Sequence, residues 1–242
     1  MTDYTVVGQL VNASNATLVV EGPDGRWVYK PTAGERPLWD FPTGTLAHRE
    51  RAAYLLSELL GWGVVPRTEL REGPFGRGSM QEWVDAEVLA VDVLPPAQVP
   101  EGWATVLTGV NEQGTQVALA HAVDDQLARI AVFDILANNA DRKGGHILTQ
   151  SDGSHIGIDH GVTFHVEPKL RTVLWGWVGQ PVPEVLLSAI DQAAPRLATS
   201  ELTELLDQDE IAALQHRTAD LLATGVFPEP SDEWPSIPWP VF

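Results

Sequence analysis

The chain has no cysteine, which excludes a disulfide framework and any thiolate-ligated metal. Basic residues are scarce: 15 Lys and Arg stand against 33 Asp and Glu, for a net charge of −18. Such a surface repels phosphate backbones and anionic lipid, so nucleic acid is not an expected partner. It also repels any free polyphosphate, which could bind only with a metal ion and a few well-placed cations. No stretch approaches the roughly 18 apolar residues of a membrane span, and the N-terminus lacks the basic-then-apolar pattern of a signal peptide. The expectation is a soluble, cytoplasmic protein without membrane insertion. No repeat at solenoid periods is present, and no Gly-x-Gly-x-x-Gly occurs.

What is there suffices for a core: 44% of the 242 residues are hydrophobic. Thr17–Val20 and Trp27–Lys30 read as strands around the turn residues Gly22, Pro23, Asp24 and Gly25. Thr45 can cap a helix from Leu46 to Leu60, with Gly61 as its stop. Val64–Leu70 and Ser79–Val84 read as strands. Asp124 can cap a helix running to about Ala137, and further helices are expected over Glu184–Ala193, Glu201–Leu206 and Gln208–Ala223. Asp207 and Glu210 have capping-box spacing, and the Pro- and Trp-rich tail from Phe227 reads as extended. Strands and one helix come first and mostly helices follow. The fold class expected is α+β, with a small β-rich lobe at 1–84 and a larger, mainly helical lobe at 85–242.

The informative stretch runs from Asn138 to Gly161. Asp141-Arg142-Lys143-Gly144-Gly145-His146 forms a tight loop after a helix, and Asp152-Gly153 is a hairpin signal. A two-residue turn there pairs Thr149 with Ile156 and Ile147 with Ile158, and sets His146 opposite Asp159. Turn chemistry alone thus delivers a loop carrying one carboxylate to the strand end carrying a second. That is a plausible frame for a metal–phosphate site.

These residues resemble the phosphatidylinositol 3/4-kinase-like (atypical kinase) superfamily, and within it a group of actinobacterial kinase-like proteins. The family pattern is an Asp-Arg loop, a metal-ligand Asn five residues after the Asp, and a strand ending in Ile-Asp-x-Gly. Here Asp141-Arg142 opens the loop, His146 holds the fifth position, and Ile158-Asp159-His160-Gly161 supplies the second half. The resemblance implies a two-lobed protein-kinase-like fold. It implies too that Asp141 orients or deprotonates an acceptor hydroxyl, and that Asp159 holds Mg²⁺ bridging ATP phosphates, as in the general kinase template. Imidazole suits softer ions than Mg²⁺, so His146 could ligate Mn²⁺, touch phosphate directly, or mark lost turnover.

Phosphoryl transfer also needs a fixed cation. Lys30, at the end of its strand, is the candidate. Glu50, on a partly apolar helix stripe, is its expected partner. Ser14 and Asn15 lie in the loop between the first strands, where kinases cover phosphates, and Glu82, Trp83 and Val84 lie where the lobes should join and adenine would sit. Asp134, in an apolar helical run, is expected to brace the loop through Arg142. The reading is therefore a metal-dependent kinase using ATP and Mg²⁺ or Mn²⁺, with a protein Ser/Thr (its own included) or a small polyol as acceptor. Alternatives are a nucleotide-binding pseudokinase, AMP transfer on the same scaffold, and a metal hydrolase built from His146, His155, Asp159 and His160.

Overall fold

The computed structural model describes residues 3–10, 15–86 and 90–242. In the first part, β2 (Leu18–Gly22) and β3 (Gly25–Pro31) pair antiparallel, with Gly22 opposite Gly25 across the turn at Pro23 and Asp24. With β1 (Thr5–Gln9), β4 (Thr68–Gly73) and β5 (Gly76–Glu82) they form a five-stranded sheet in the order β1-β2-β3-β5-β4. Alternation buries Val20, Trp27, Tyr29 and Met80 together as a small core.

The crossover from β3 to β4 carries α1 (Leu46–Leu60), which packs on β4 and β5. Its start differs from the expectation. The Thr45 hydroxyl bonds the Pro42 carbonyl at 2.7 Å, and the first helical N–H groups are capped from a distance by the Glu35 carboxylate, at 3.2 Å from Leu46 N and 2.9 Å from Ala47 N. Gly61 ends the helix in the left-handed region, as its type favours.

The second part opens on a sheet that composition did not announce. β6 (Val91–Leu94), β7 (Trp103–Val110) and β8 (Gln116–Ala122) pair in the order β6-β8-β7. α2 (Asp125–Ala137) follows, with Asp124 Oδ1 accepting from Gln126 N and Leu127 N at 2.9 and 2.8 Å. The ribbon β9 (Ile147–Thr149) and β10 (His155–Gly157) comes next, then α3 (Glu184–Ala193) and α4 (Gln208–Thr224). The Asp207–Glu210 capping box is formed, whereas the helix expected over 201–206 is only a 3₁₀ turn at Glu201–Glu204. Side chains from α1, α2, α3 and α4 share one large core. Buried Arg49 of α1 reaches Glu210 of α4 and the Thr163 carbonyl, tying the first helix into the second part.

The tail is extended and turns back on the molecule. The Ser236 carbonyl accepts from Thr172 N and from Trp175 Nε1, both at 2.9 Å, and the Val241 carbonyl accepts from Gly144 N at 2.8 Å. Phe242 lies so close to Gly144 that a Cβ there would meet its ring at 2.5 Å. Among the described residues, no helix is long and apolar enough to cross a membrane.

Candidate functional site

The hairpin that carries the site is real, but its register differs from the expectation by one residue. Thr149 pairs with His155 and Ile147 with Gly157. The connection is a three-residue loop, Ser151-Asp152-Gly153, closed by Gln150 N to Ser154 O at 2.9 Å, with Gly153 in the left-handed region at its end. The slip leaves Ile158 N bonded to His146 O at 2.9 Å. His146 and Asp159 still meet, because Asp159 takes φ +59° and leaves the strand line. For a non-glycine residue that conformation costs about 1–2 kcal/mol and persists only where surrounding contacts hold it.

Arg142 is the chief of those contacts. It is fully buried, and all five of its N–H donors are committed inside the protein. Its guanidinium forks onto Asp134 at 2.7 and 2.9 Å, and also reaches His146 O at 3.0 Å, Ile158 O at 2.7 Å and His160 Nε2 at 2.7 Å. One side chain thereby clamps the loop after Asp141 to the strand before Asp159. Asn139 adds a brace, donating to Asp134 Oδ1 at 3.0 Å and accepting from Asp141 N at 3.0 Å. Arg142 is thus placed to position the loop and has no donor left for a substrate.

The carboxylates converge on a cavity of about 390 Å³ that Lys30, Glu50, Asp141 and Asp159 all line. Lys30 Nζ, projecting from β3, bonds Glu50 of α1 and Asp159 Oδ1, the latter at 2.8 Å. Glu50 also accepts from His160 N at 3.0 Å. His146 Nε2 stands 3.3 Å from Asp159 Oδ2, and Lys143 Nζ stands 3.5 Å from Asp141 Oδ2.

The electrostatics follow from this packing. Burial alone would raise the Asp159 pKa, yet the charge and hydrogen bond of Lys30 hold it well below the usual carboxylate range. Burial would lower that of Lys30, but Asp159 and Glu50 hold it up. Burial raises Asp141, assisted by the Asp159 charge and opposed by Lys143 and Arg171. His146 is pushed down to about 4, chiefly by burial; the Asp159 charge opposes this, and Arg142, Lys30 and Lys143 add to it. His160 is depressed too, by burial and by Arg142.

Other expected residues fall differently. Ser14 lies outside the described residues. Asn15 lines the cavity, its Oδ1 accepting from Arg36 N at 2.8 Å. Glu82, Trp83 and Val84 do not line it. The N–H groups of Glu82 and Trp83 are already bonded to Arg67 O and Arg26 O at 2.8 and 3.0 Å, leaving Val84 as the residue there with no such commitment among the bonds found. His155 is bound to Asp124 at 3.1 Å and Thr149 at 3.0 Å, and His160 Nε2 is taken by Arg142, so neither joins His146 as a ligand. No group of three or more His, Asp or Glu side chains fit to hold a metal occurs among the described residues. The pair His146 and Asp159 could therefore hold a cation only with oxygens from a ligand, and its donors fit an ion shared with phosphate.

The sequence reading missed much of the cavity wall. Arg36, Trp39, Asp40, Arg171 and Trp234 also line it. Buried Lys169 pairs with Asp40 at 2.8 Å and lies 4.9 and 4.8 Å from the ring centroids of Trp39 and Trp234. Arg171 is tied to the loop around Asp141 through Arg171 N to Asn139 O and Arg142 N to Arg171 O, both at 2.9 Å. These residues come from irregular loops and the tail, where no periodicity marks them. The one available signal was the pairing of Trp with Pro near the end of the chain.

A scan against protein-family models gave no match. Protein Rv2133c of Mycobacterium tuberculosis is 47% identical to this chain over 99% of its length and 92% of that protein's. A crystal structure of a Helicobacter pylori proinflammatory kinase, CtkA, superposes with a TM-score of 0.50 over 93% of this chain and 92% of that one, at 11% identity. The fold is therefore α+β and kinase-like, with two lobes.

Proposed function

The chain belongs to the family of Mycobacterium tuberculosis protein Rv2133c, and from its kinase-like fold and the geometry of its site we propose that it is an ATP- and metal-dependent phosphotransferase acting on a hydroxyl. The observation that carries the reading is the meeting of Lys30 from β3 with Glu50 from the following helix and with Asp159 from the second lobe. In kinases a strand-β3 lysine paired to a helix glutamate sets the nucleotide phosphates, and an Asp just before the glycine motif faces the metal. The phosphatidylinositol 3/4-kinase-like superfamily is the branch that the Asp-Arg loop and the Ile-Asp-x-Gly strand favour. We take residues 1–84 as the nucleotide lobe and 85–242 as the catalytic lobe.

In this reading Lys30 contacts phosphate, and Glu50 keeps its ammonium in place. A divalent cation, when bound, neutralises charge on the phosphate oxygens, and Asp159 and His146 would hold it. Asp141 faces the same cavity and would take or orient the acceptor proton. Its raised pKa suits a base, since a proton acceptor works best when its affinity approaches the working pH. Asn15 and Arg36 border the phosphate side, and adenine would extend along β5 toward Val84.

The test is transfer from γ-labelled ATP with Mg²⁺ or Mn²⁺, to the protein itself and to polyol and protein acceptors. Asp159→Ala is expected to lower the rate by about 10²–10³-fold, as loss of one electrostatic catalyst does. Intact-mass analysis separates a phosphate adduct from the heavier adenylyl adduct. Wild-type protein that transfers nothing under any of these conditions would sink the enzyme reading.

A further inference from the structure

His146 stands where the family pattern has an amide, and its ring orientation is fixed. Nδ1 lies 3.0 Å from the Asp141 carbonyl oxygen. A carbonyl can only accept, so the ring proton sits on Nδ1. In the neutral ring Nε2 then presents a lone pair, and it faces Asp159 Oδ2 at 3.3 Å. The other Asp159 oxygen is occupied by Lys30 at 2.8 Å. Oδ2 and Nε2 thus form two acceptors aimed at each other with no donor between them. A cation placed against both converts that repulsion into ligation. The spacing suits it, because two ligands about 2.1 Å from a six-coordinate ion and at right angles lie about 3 Å apart.

We propose that the cation of this site is held through a nitrogen, His146 Nε2, beside Asp159 Oδ2, and that the site therefore selects Mn²⁺ over Mg²⁺. The inference rests on the phosphotransferase reading, which supplies the phosphate oxygens that complete the coordination. Mg²⁺ is a hard ion that takes oxygen and parts reluctantly with water; Mn²⁺ also favours oxygen, but as a first-row transition ion it enters a mixed nitrogen and oxygen site more readily than Mg²⁺ does. The Nδ1–H bond to the Asp141 carbonyl supplies the outer contact that orients a ligating histidine and raises its basicity. It also couples the two halves of the site, since the carbonyl belongs to the residue whose carboxylate faces the acceptor.

Pulsed electron paramagnetic resonance on Mn²⁺ reads the ligand directly. The sample is uniformly ¹⁵N-labelled protein with unlabelled AMP-PNP, so any ¹⁵N coupling comes from protein and any ¹⁴N coupling from the nucleotide, its imido bridge included. The expected result is a ¹⁵N coupling of directly bound imidazole in the wild type, absent in H146N. Calorimetry in the presence of AMP-PNP should show the Mn²⁺-over-Mg²⁺ preference shrinking by about tenfold or more in H146N, the scale on which metal sites respond to ligand-shell changes. Mn²⁺ bound with nucleotide but lacking ¹⁵N coupling, or an unchanged preference in a folded H146N, would overturn the nitrogen ligand and leave the phosphotransferase standing. Failure of the wild type to bind nucleotide and metal together removes both. The ¹⁵N measurement is made on the wild type, so the answer does not depend on how the variant folds.

Discussion

At the scale of single residues, the site is dominated by histidines held neutral among cations. His146 is pushed down to about 4, and His160 is held well below the ordinary value of 6.5. Between pH 6.5 and 4 the unfolded chain takes up protons on these rings and the folded chain refuses them. Stability therefore falls as pH drops through that window, by about 1.4 kcal/mol per pH unit for each such group at most. Asp159 has the opposite linkage. Its depressed pKa contributes stability above its unfolded value of 3.8, so it is not lost within the window. Urea unfolding of the metal-free protein at pH 7 and pH 5 checks the sign, and His146→Asn should shrink the difference without abolishing it, because His121 and His160 are depressed by burial as well. A protein equally stable at both values would show that the rings are protonated as folded.

At the scale of elements, the arrangement depends on α2 reaching the loop through Asp134 and Arg142, both fully buried. Removing one partner leaves the other charge uncompensated, so Asp134→Asn should cost about 3–5 kcal/mol by urea denaturation. Its loss should also release Asp141 from Asp159, because the same guanidinium holds His146 O and Ile158 O. This brace was legible beforehand, since a lone carboxylate in an apolar helical run needs a cation. Helix ends were legible for the same kind of local reason, at Asp124, Asp207 and Gly61. The hairpin register was not, because Asp-Gly fits a two-residue turn or the end of a three-residue loop. Nor was the cap of α1, which comes from Glu35 eleven residues before the helix starts. The sheet of β6, β7 and β8 carries little signal in its own residues, since β7 is largely exposed and its alternation weak.

At the scale of the whole molecule, a net charge of −18 surrounds a cavity lined by Lys30, Arg36 and Arg171. The long-range field repels ATP, while the cations act within contact distance. Salt screens the first more than the second, with a Debye length of about 8 Å at physiological ionic strength. Raising ionic strength from about 10 to 150 mM should therefore speed nucleotide association and alter dissociation much less, as stopped-flow fluorescence can resolve. An association rate that falls with salt would show that the local cations govern the approach.

The bond from Gly144 N to Val241 O joins positions about a hundred residues apart. In the order of synthesis, the loop after Asp141 emerges from the ribosome long before its last backbone partner exists. At typical elongation rates that gap lasts roughly 5–20 s. A nascent chain still attached to the ribosome thus lacks the backbone bond that closes this loop until Val241 has cleared the exit tunnel.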